Sequence, residues 1–158
     1  MTIPQSTMWL CVAAYSAHAL EEFMFDGQNW ARQVLRLPAQ WGDFYITNTV
    51  VIVIGVVAAK IAPVWPAVAL GFAAPMLINA TFFHLGPVVW MRGRFSPGLI
   101  TALLIFYPLG IETIWLSQPN MSTVIVAFAV GALLMATPII FLKLKTLPYF
   151  DQERVSAR

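Results

Sequence analysis

The chain has 158 residues, of which 59% are hydrophobic and only 10% charged. Soluble domains carry about a quarter charged residues, and so short a chain has too little interior to hide this much apolar surface, so the composition excludes an ordinary soluble domain. A formal net charge of +2 is too small for a nucleic-acid binder, and the single cysteine, Cys11, excludes an internal disulfide.

A helix needs about 20 mostly apolar residues to cross the hydrocarbon. In chain order, the segments 7–25, 44–62, 64–88, 98–117 and 122–142 qualify. They are continuously apolar, without the alternation of a membrane barrel. The expected fold is therefore all-α: a polytopic bundle of five transmembrane helices in one domain over 1–145, with a polar tail at 146–158. In the first segment, Ala17-His18-Ala19 imitates a signal-peptide cleavage site. The preceding MTIPQST has no Lys or Arg, however, and the apolar run continues to Phe25, so the segment reads as a retained span.

The one long connection is DGQNWARQVLRLPAQWGD, 26–43. Trp30, Val34 and Leu35 can share a helical face with Arg32 and Arg36 off it, and Pro38 would stop such a helix. An interfacial helix on the inner leaflet fits this pattern. Asp26 and Asp43, at the ends of the connection, read as caps. Within the later spans, Pro75, Pro108 and Pro138 are expected to kink the helices, and Gly55, Gly71 and Gly131 to allow close packing.

Basic residues orient this arrangement. With five spans, one side carries only Lys60, whereas the other carries Arg32, Arg36, Arg92, Arg94, Lys143, Lys145, Arg154 and Arg158. The positive-inside rule then places the C-terminus in the cytoplasm and the N-terminus outside. Trp9, Trp65 and Trp115 fall at outer ends, and Trp30, Trp41 and Trp90 at or beyond inner ends, as suits an interfacial belt.

Against this background the polar residues inside the spans stand out. AHALEEF, 17–23, puts His18, Glu21 and Glu22 on one helical face, at spacings of three and four residues. The topology brings Asn48 of the second span, Asn79 and His84 of the third, and Ser96 and Thr101 beside the fourth into the same inner layer. Charge inside a bilayer is costly, so such a group is functional by default. The chain's two histidines, His18 and His84, both lie in that layer. Histidine and carboxylate together suit zinc, iron or manganese. His18, Glu22 and His84 are the expected metal ligands, with Glu21 a further ligand or general base and Asn48 or Asn79 an oxygen donor. Without metal, the same groups could move protons. Glu112 falls beside Trp115 near the outer face and reads as an interface residue.

HALEE, 18–22, INATFFH, 78–84, and FSPGLITA, 95–102, resemble in order and placement the signatures of the HXXEE family of small bacterial integral membrane proteins. The resemblance implies a bacterial cytoplasmic-membrane protein with functional His18, Glu21, Glu22 and His84. It also implies that Pro97 and Gly98 shape the backbone ahead of Thr101. It supplies no reaction.

Three functions follow as expectations. The first is a membrane-embedded, metal-dependent, hydrolase-like enzyme acting on a lipid or other small amphiphile from the inner leaflet, with Arg92 and Arg94 placed to attract an anionic head group. The second is a metal-free isomerase or cyclase of an isoprenoid or sterol-like substrate, lined by Phe82, Phe83, Phe106 and Tyr107. The third, a small transporter or proton or metal conduit, suits less well a polar layer confined to the inner half. No organic cofactor is indicated, membrane lipids are the expected surroundings, and faces of small residues would admit a homodimer.

Overall fold

The computed structural model describes residues 3–150, and every regular element among them is helical. Helix α1 spans Gln5–Met24 and α2 Gly27–Gln33, while α3 covers Trp41–Ile61. Helices α4 (Ala67–Trp90), α5 (Leu99–Ser117) and α6 (Met121–Leu144) complete the set, followed by a short turn at Pro148–Phe150. The polar tail beyond 150 lies outside the described residues.

Four of these helices, α3 to α6, are long and apolar enough to cross a membrane, which makes the chain an integral membrane protein. Their Leu, Ile and Val side chains are widely exposed on the outer surface, as lipid contact allows. Helix α1 has 20 residues, enough for about 30 Å of rise. Its apolar content is diluted by Ser16, His18, Glu21 and Glu22. It compensates by packing: Met8, Cys11, Val12, Ala14, Tyr15 and His18 are all buried.

Helix α4 is the centre of the bundle, in contact with α1, α3, α5 and α6. The reason is legible in AVALGFAAPMLI, where small residues alternate with bulky ones and Ala69 to Leu77 are buried apart from Gly71. Neighbouring helices come close at glycines. A Cβ on Gly55 would lie 2.7 Å from the Phe72 ring, and one on Gly131 would lie 3.0 Å from Pro75. Gly71 departs from the expectation of close packing, since nothing lies within 4 Å of its Cβ position. It opens onto a shallow apolar groove beside Val53, Val57 and Phe72.

The helices run alternately up and down, and side-chain contacts tie both ends. At one end Gln5 Nε2 donates to the Ala59 carbonyl at 3.3 Å, and Lys60 sits over the Trp9 ring at 5.6 Å. At the other, Lys145 pairs with Asp43, and Arg94 Nη2 donates to Gln33 Oε1 at 3.1 Å. Arg32, Arg36, Arg92 and Lys143 belong to this second end too.

Boundaries differ from the sequence expectation for local reasons. Helix α3 starts at Trp41 because Gln40 and Asp43 form a reciprocal capping box, with Gln40 N–H donating to Asp43 Oδ2 at 2.9 Å. Helix α4 waits until Ala67 because Pro66 precedes it. Helix α2 ends at Gln33, well short of Pro38, so Val34 and Leu35 fall beyond it and the expected apolar face is truncated. Asp26 precedes α2 in a left-handed conformation and accepts from Asn29 Nδ2 at 2.6 Å instead of capping the backbone.

Two helices contain widened, π-helical stretches: Asn79–Leu85 in α4 and Ala102–Phe106 in α5. Pro87 and Pro108 follow closely behind them. A proline ring collides with the carbonyl four residues back in a regular α-helix, and that carbonyl belongs to Phe83 or Leu104, inside the widened stretch in each case. The widening relieves the collision. Thr81 Oγ1 and Tyr107 Oη, 2.8 Å apart, join the two stretches.

Gly55→Ala is expected to overpack the crossing against Phe72 and Val12, lowering stability by about 1–3 kcal/mol. Gly71→Ala, with open space around it, should be neutral or slightly stabilising. Thermal unfolding of both variants in detergent checks the contrast, and equal melting temperatures would contradict it.

Candidate functional site

His18 occupies the inward face of α1 one turn before Glu22, and the face is set by the buried series Cys11, Ala14, Tyr15 and His18. His84 reaches the same point from the π-helical stretch of α4. The imidazoles meet edge to face with centroids 4.7 Å apart. Phe106 lies 4.4 Å from the His18 ring, Tyr15 stacks on Phe106, and Trp30 of α2 lies parallel to His84 at 6.3 Å. Both histidines are essentially inaccessible.

Each imidazole has one nitrogen held and one free. His18 Nδ1 lies 2.8 Å from Thr101 Oγ1, and His84 Nδ1 lies 3.0 Å from Ser96 Oγ. The two Nε2 atoms are buried with no hydrogen-bond partner among the described residues. Both face Glu22 Oε1, at 3.7 Å from His18 and 3.6 Å from His84. These separations exceed a hydrogen bond. They are close to the edge of a tetrahedron of ligands around an ion with bonds of about 2.1 Å, which is about 3.4 Å. One ligand atom from each of His18, Glu22 and His84 lies within 4.8 Å of the others. The residues therefore fit a divalent metal by donor type, by spacing and by the otherwise unexplained burial of two bare nitrogens.

Glu21 stands apart from this triad although it is adjacent in sequence. Its carboxylate accepts from Ile100 N–H at 3.0 Å, from Thr101 N–H at 2.8 Å and from the Thr101 hydroxyl at 2.6 Å. Those amides belong to the first turn of α5, whose own residues provide no side-chain cap. Glu21 thus caps a neighbouring helix, where the amide dipoles favour negative charge. The expectation of Glu21 as a ligand or base meets a carboxylate whose two oxygens are both already engaged.

The segment Ser96-Pro97-Gly98 ahead of α5 shapes the rest. All three residues are buried. Gly98 has φ +93°, and a Cβ there would lie 2.6 Å from Cε1 of both His18 and His84 and 3.1 Å from Glu22 Cγ. Only glycine combines that backbone with that contact.

The remaining expected residues divide. Asn79 lies beside His18, and its Oδ1 is buried without a partner, as an additional donor would be. Asn48 is turned into its own helix, donating to the Phe44 carbonyl at 2.9 Å, and makes no bond to the cluster. Glu112 is exposed on the surface of α5, as expected. Sequence reasoning placed Ser96 in the layer but missed its pairing with His84 and the approach of Trp30 to the His84 ring. The hydroxyls at Ser96 and Thr101, flanking a Pro-Gly turn, were the available signal.

Glu21→Ala should cost about 1–3 kcal/mol, because it leaves two part-buried backbone amides and a hydroxyl without their acceptor. Glu22→Ala removes a carboxylate that makes no hydrogen bond in the structure, and should leave stability unchanged or raise it. Unfolding of the metal-free proteins in detergent distinguishes these adjacent glutamates. Gly98→Ala should lose more than either, from backbone strain and collision with both imidazoles.

Comparison with curated proteins and with solved structures gives no match. Residues 9–115, which carry every side chain of the cluster, match the family described as proteins of unknown function with an HXXEE motif. In this chain the motif is His18-Ala19-Leu20-Glu21-Glu22. With two thirds of its length matched, from α1 to the last turns of α5, the chain belongs to the HXXEE family.

Proposed function

We propose that this protein is a membrane-embedded, metal-dependent enzyme of the hydrolase type, acting on a lipid or other amphiphile from the cytoplasmic leaflet of a bacterial membrane. One observation carries the reading: two buried, unpartnered Nε2 atoms converge with a carboxylate oxygen inside an apolar bundle. His18, Glu22 and His84 hold the ion, and Asn79 Oδ1 is an additional donor. A bound zinc, iron or manganese ion would polarise a carbonyl or phosphoryl oxygen or activate water. Glu21 positions the site in this proposal and is not its base.

The topology in the proposal has five spans. Helix α1 is the fifth: its length suffices, and its His18 and Glu21 are buried against the other helices. Arg32, Arg36, Arg92, Arg94, Lys143 and Lys145 gather at the end of the bundle that holds the site, with Lys60 at the other, which supports a cytoplasmic location for that end. Helix α2 lies at that end, consistent with an interfacial position. Glu22 is the one member of the triad with appreciable exposure, 20% of its side chain, so access to the centre runs past it. Arg92 and Arg94, on the exposed loop between α4 and α5, are placed to attract an anionic head group. Confinement of the polar cluster to one end supports an enzyme over a conduit.

Elemental analysis of protein purified without a polyhistidine tag tests the proposal. Near-stoichiometric zinc, iron or manganese is expected, with loss in His18→Ala, His84→Ala and Glu22→Ala. Hydrolysis of lipid esters or phosphoesters in mixed micelles should then stop on chelation and return with metal. A folded wild-type protein that takes up no metal, even on reconstitution, would sink the proposal.

A further inference from the structure

The two histidines are held unequally. Among the described residues Ser96 Oγ has no hydrogen-bond partner other than His84 Nδ1, so its hydroxyl can donate or accept there. Thr101 Oγ1 has three neighbours: His18 Nδ1 at 2.8 Å, Glu21 Oε2 at 2.6 Å and the Gly98 carbonyl at 3.2 Å. Two of these are oxygen acceptors, and the hydroxyl has one proton to give. Directed at His18 instead, it would leave a carboxylate oxygen 2.6 Å from a bare hydroxyl oxygen, which is strongly repulsive in a buried setting. Glu21 cannot relieve this by rotating, because backbone N–H groups of Ile100 and Thr101 hold its two oxygens. The hydroxyl therefore donates to Glu21 and accepts from His18.

We infer that Thr101, oriented by Glu21, is a positioning residue that locks His18 in the Nδ1–H tautomer and turns the bare Nε2 toward Glu22. The competing tautomer is otherwise attractive, since an Nε2–H would face the Glu22 carboxylate directly. The glutamate pair thus has two opposed roles. Glu22 alone would draw the proton to Nε2 and block it as a ligand, while Glu21, through Thr101, holds the proton on the far nitrogen. An acceptor on the remote nitrogen, here a hydroxyl backed by the Glu21 carboxylate, also makes an imidazole a better metal ligand. The consequence for metal affinity rests on the proposed function; the tautomer itself does not.

Nitrogen-15 NMR of histidine-labelled, metal-free protein in detergent at about pH 8, above the usual histidine range, tests this. The chain has only two histidines, so His84→Gln assigns both sets of signals. Wild-type His18 is expected as a single tautomer, protonated at Nδ1. Thr101→Val should shift it to Nε2–H, Thr101→Ser should restore Nδ1–H, and Ser96→Ala should leave it unchanged. Wild-type His18 protonated at Nε2, or Thr101→Val retaining Nδ1–H, would overturn the inference. If Thr101→Val does not fold, the wild-type and Thr101→Ser spectra decide. Zinc titration of the same samples should show roughly 10- to 100-fold weaker binding in Thr101→Val, recovered in Thr101→Ser. Wild-type protein that binds no zinc while its His18 is Nδ1–H would remove the metal reading and leave the tautomer lock standing.

Discussion

Everything at the site depends on the turn that opens α5. Within the six residues from Ser96 to Thr101 the chain supplies a hydroxyl for each histidine, a glycine on which both imidazoles rest, and two amides that fix Glu21. Three helices deliver side chains, but this one turn sets their mutual positions. Its left-handed glycine is required twice, once by the backbone and once by the space that the imidazoles fill. Such precision from a loop is feasible because Ser96, Pro97 and Gly98 are buried and the turn is hydrogen-bonded to α1 and α4.

The cluster also illustrates how an apolar bundle carries polar groups. Glu21 is buried, yet both of its oxygens are satisfied by a helix end that would otherwise be bare. That exchange resolves two unfavourable burials at once, an unpaired carboxylate and unpaired amides. His18 Nε2 and His84 Nε2, which face Glu22, have no such resolution among the described residues. Groups left unsatisfied beside others so fully satisfied single out the candidate site.

Much of this was legible in the sequence, and the reasons are specific. Long apolar runs and their spacing located α3 to α6, because lipid imposes a length on any helix that crosses it. Alternating direction then put His18 and His84 in one layer. The i, i+4 relation singled out Glu22 beside His18, and the structure gives that pair a shared direction. What periodicity does not convey is a bond between helices. Glu21 and Glu22 are equivalent in composition and neighbours in sequence, and only the packed position of Thr101 distinguishes them. Nor does any local pattern convey that Trp30 of α2 approaches the His84 ring.

The π-helical stretches bear on how the chain is to be aligned with others. A π turn holds about one residue more than the α turn it replaces, so each behaves as a one-residue insertion absorbed without breaking the helix. Residues beyond it are rotated by about 100° from where a uniform α-helix would put them. His84 sits inside such a stretch, so its separation from Asn79 is not an α-helical angle. Two relatives with one residue more or fewer between these positions can present the same imidazole to the same partners. Two with identical spacing need not. For α4 the meaningful correspondence is the identity of the side chain that meets the turn at 96–101, and linear numbering along the helix is a poor guide to it.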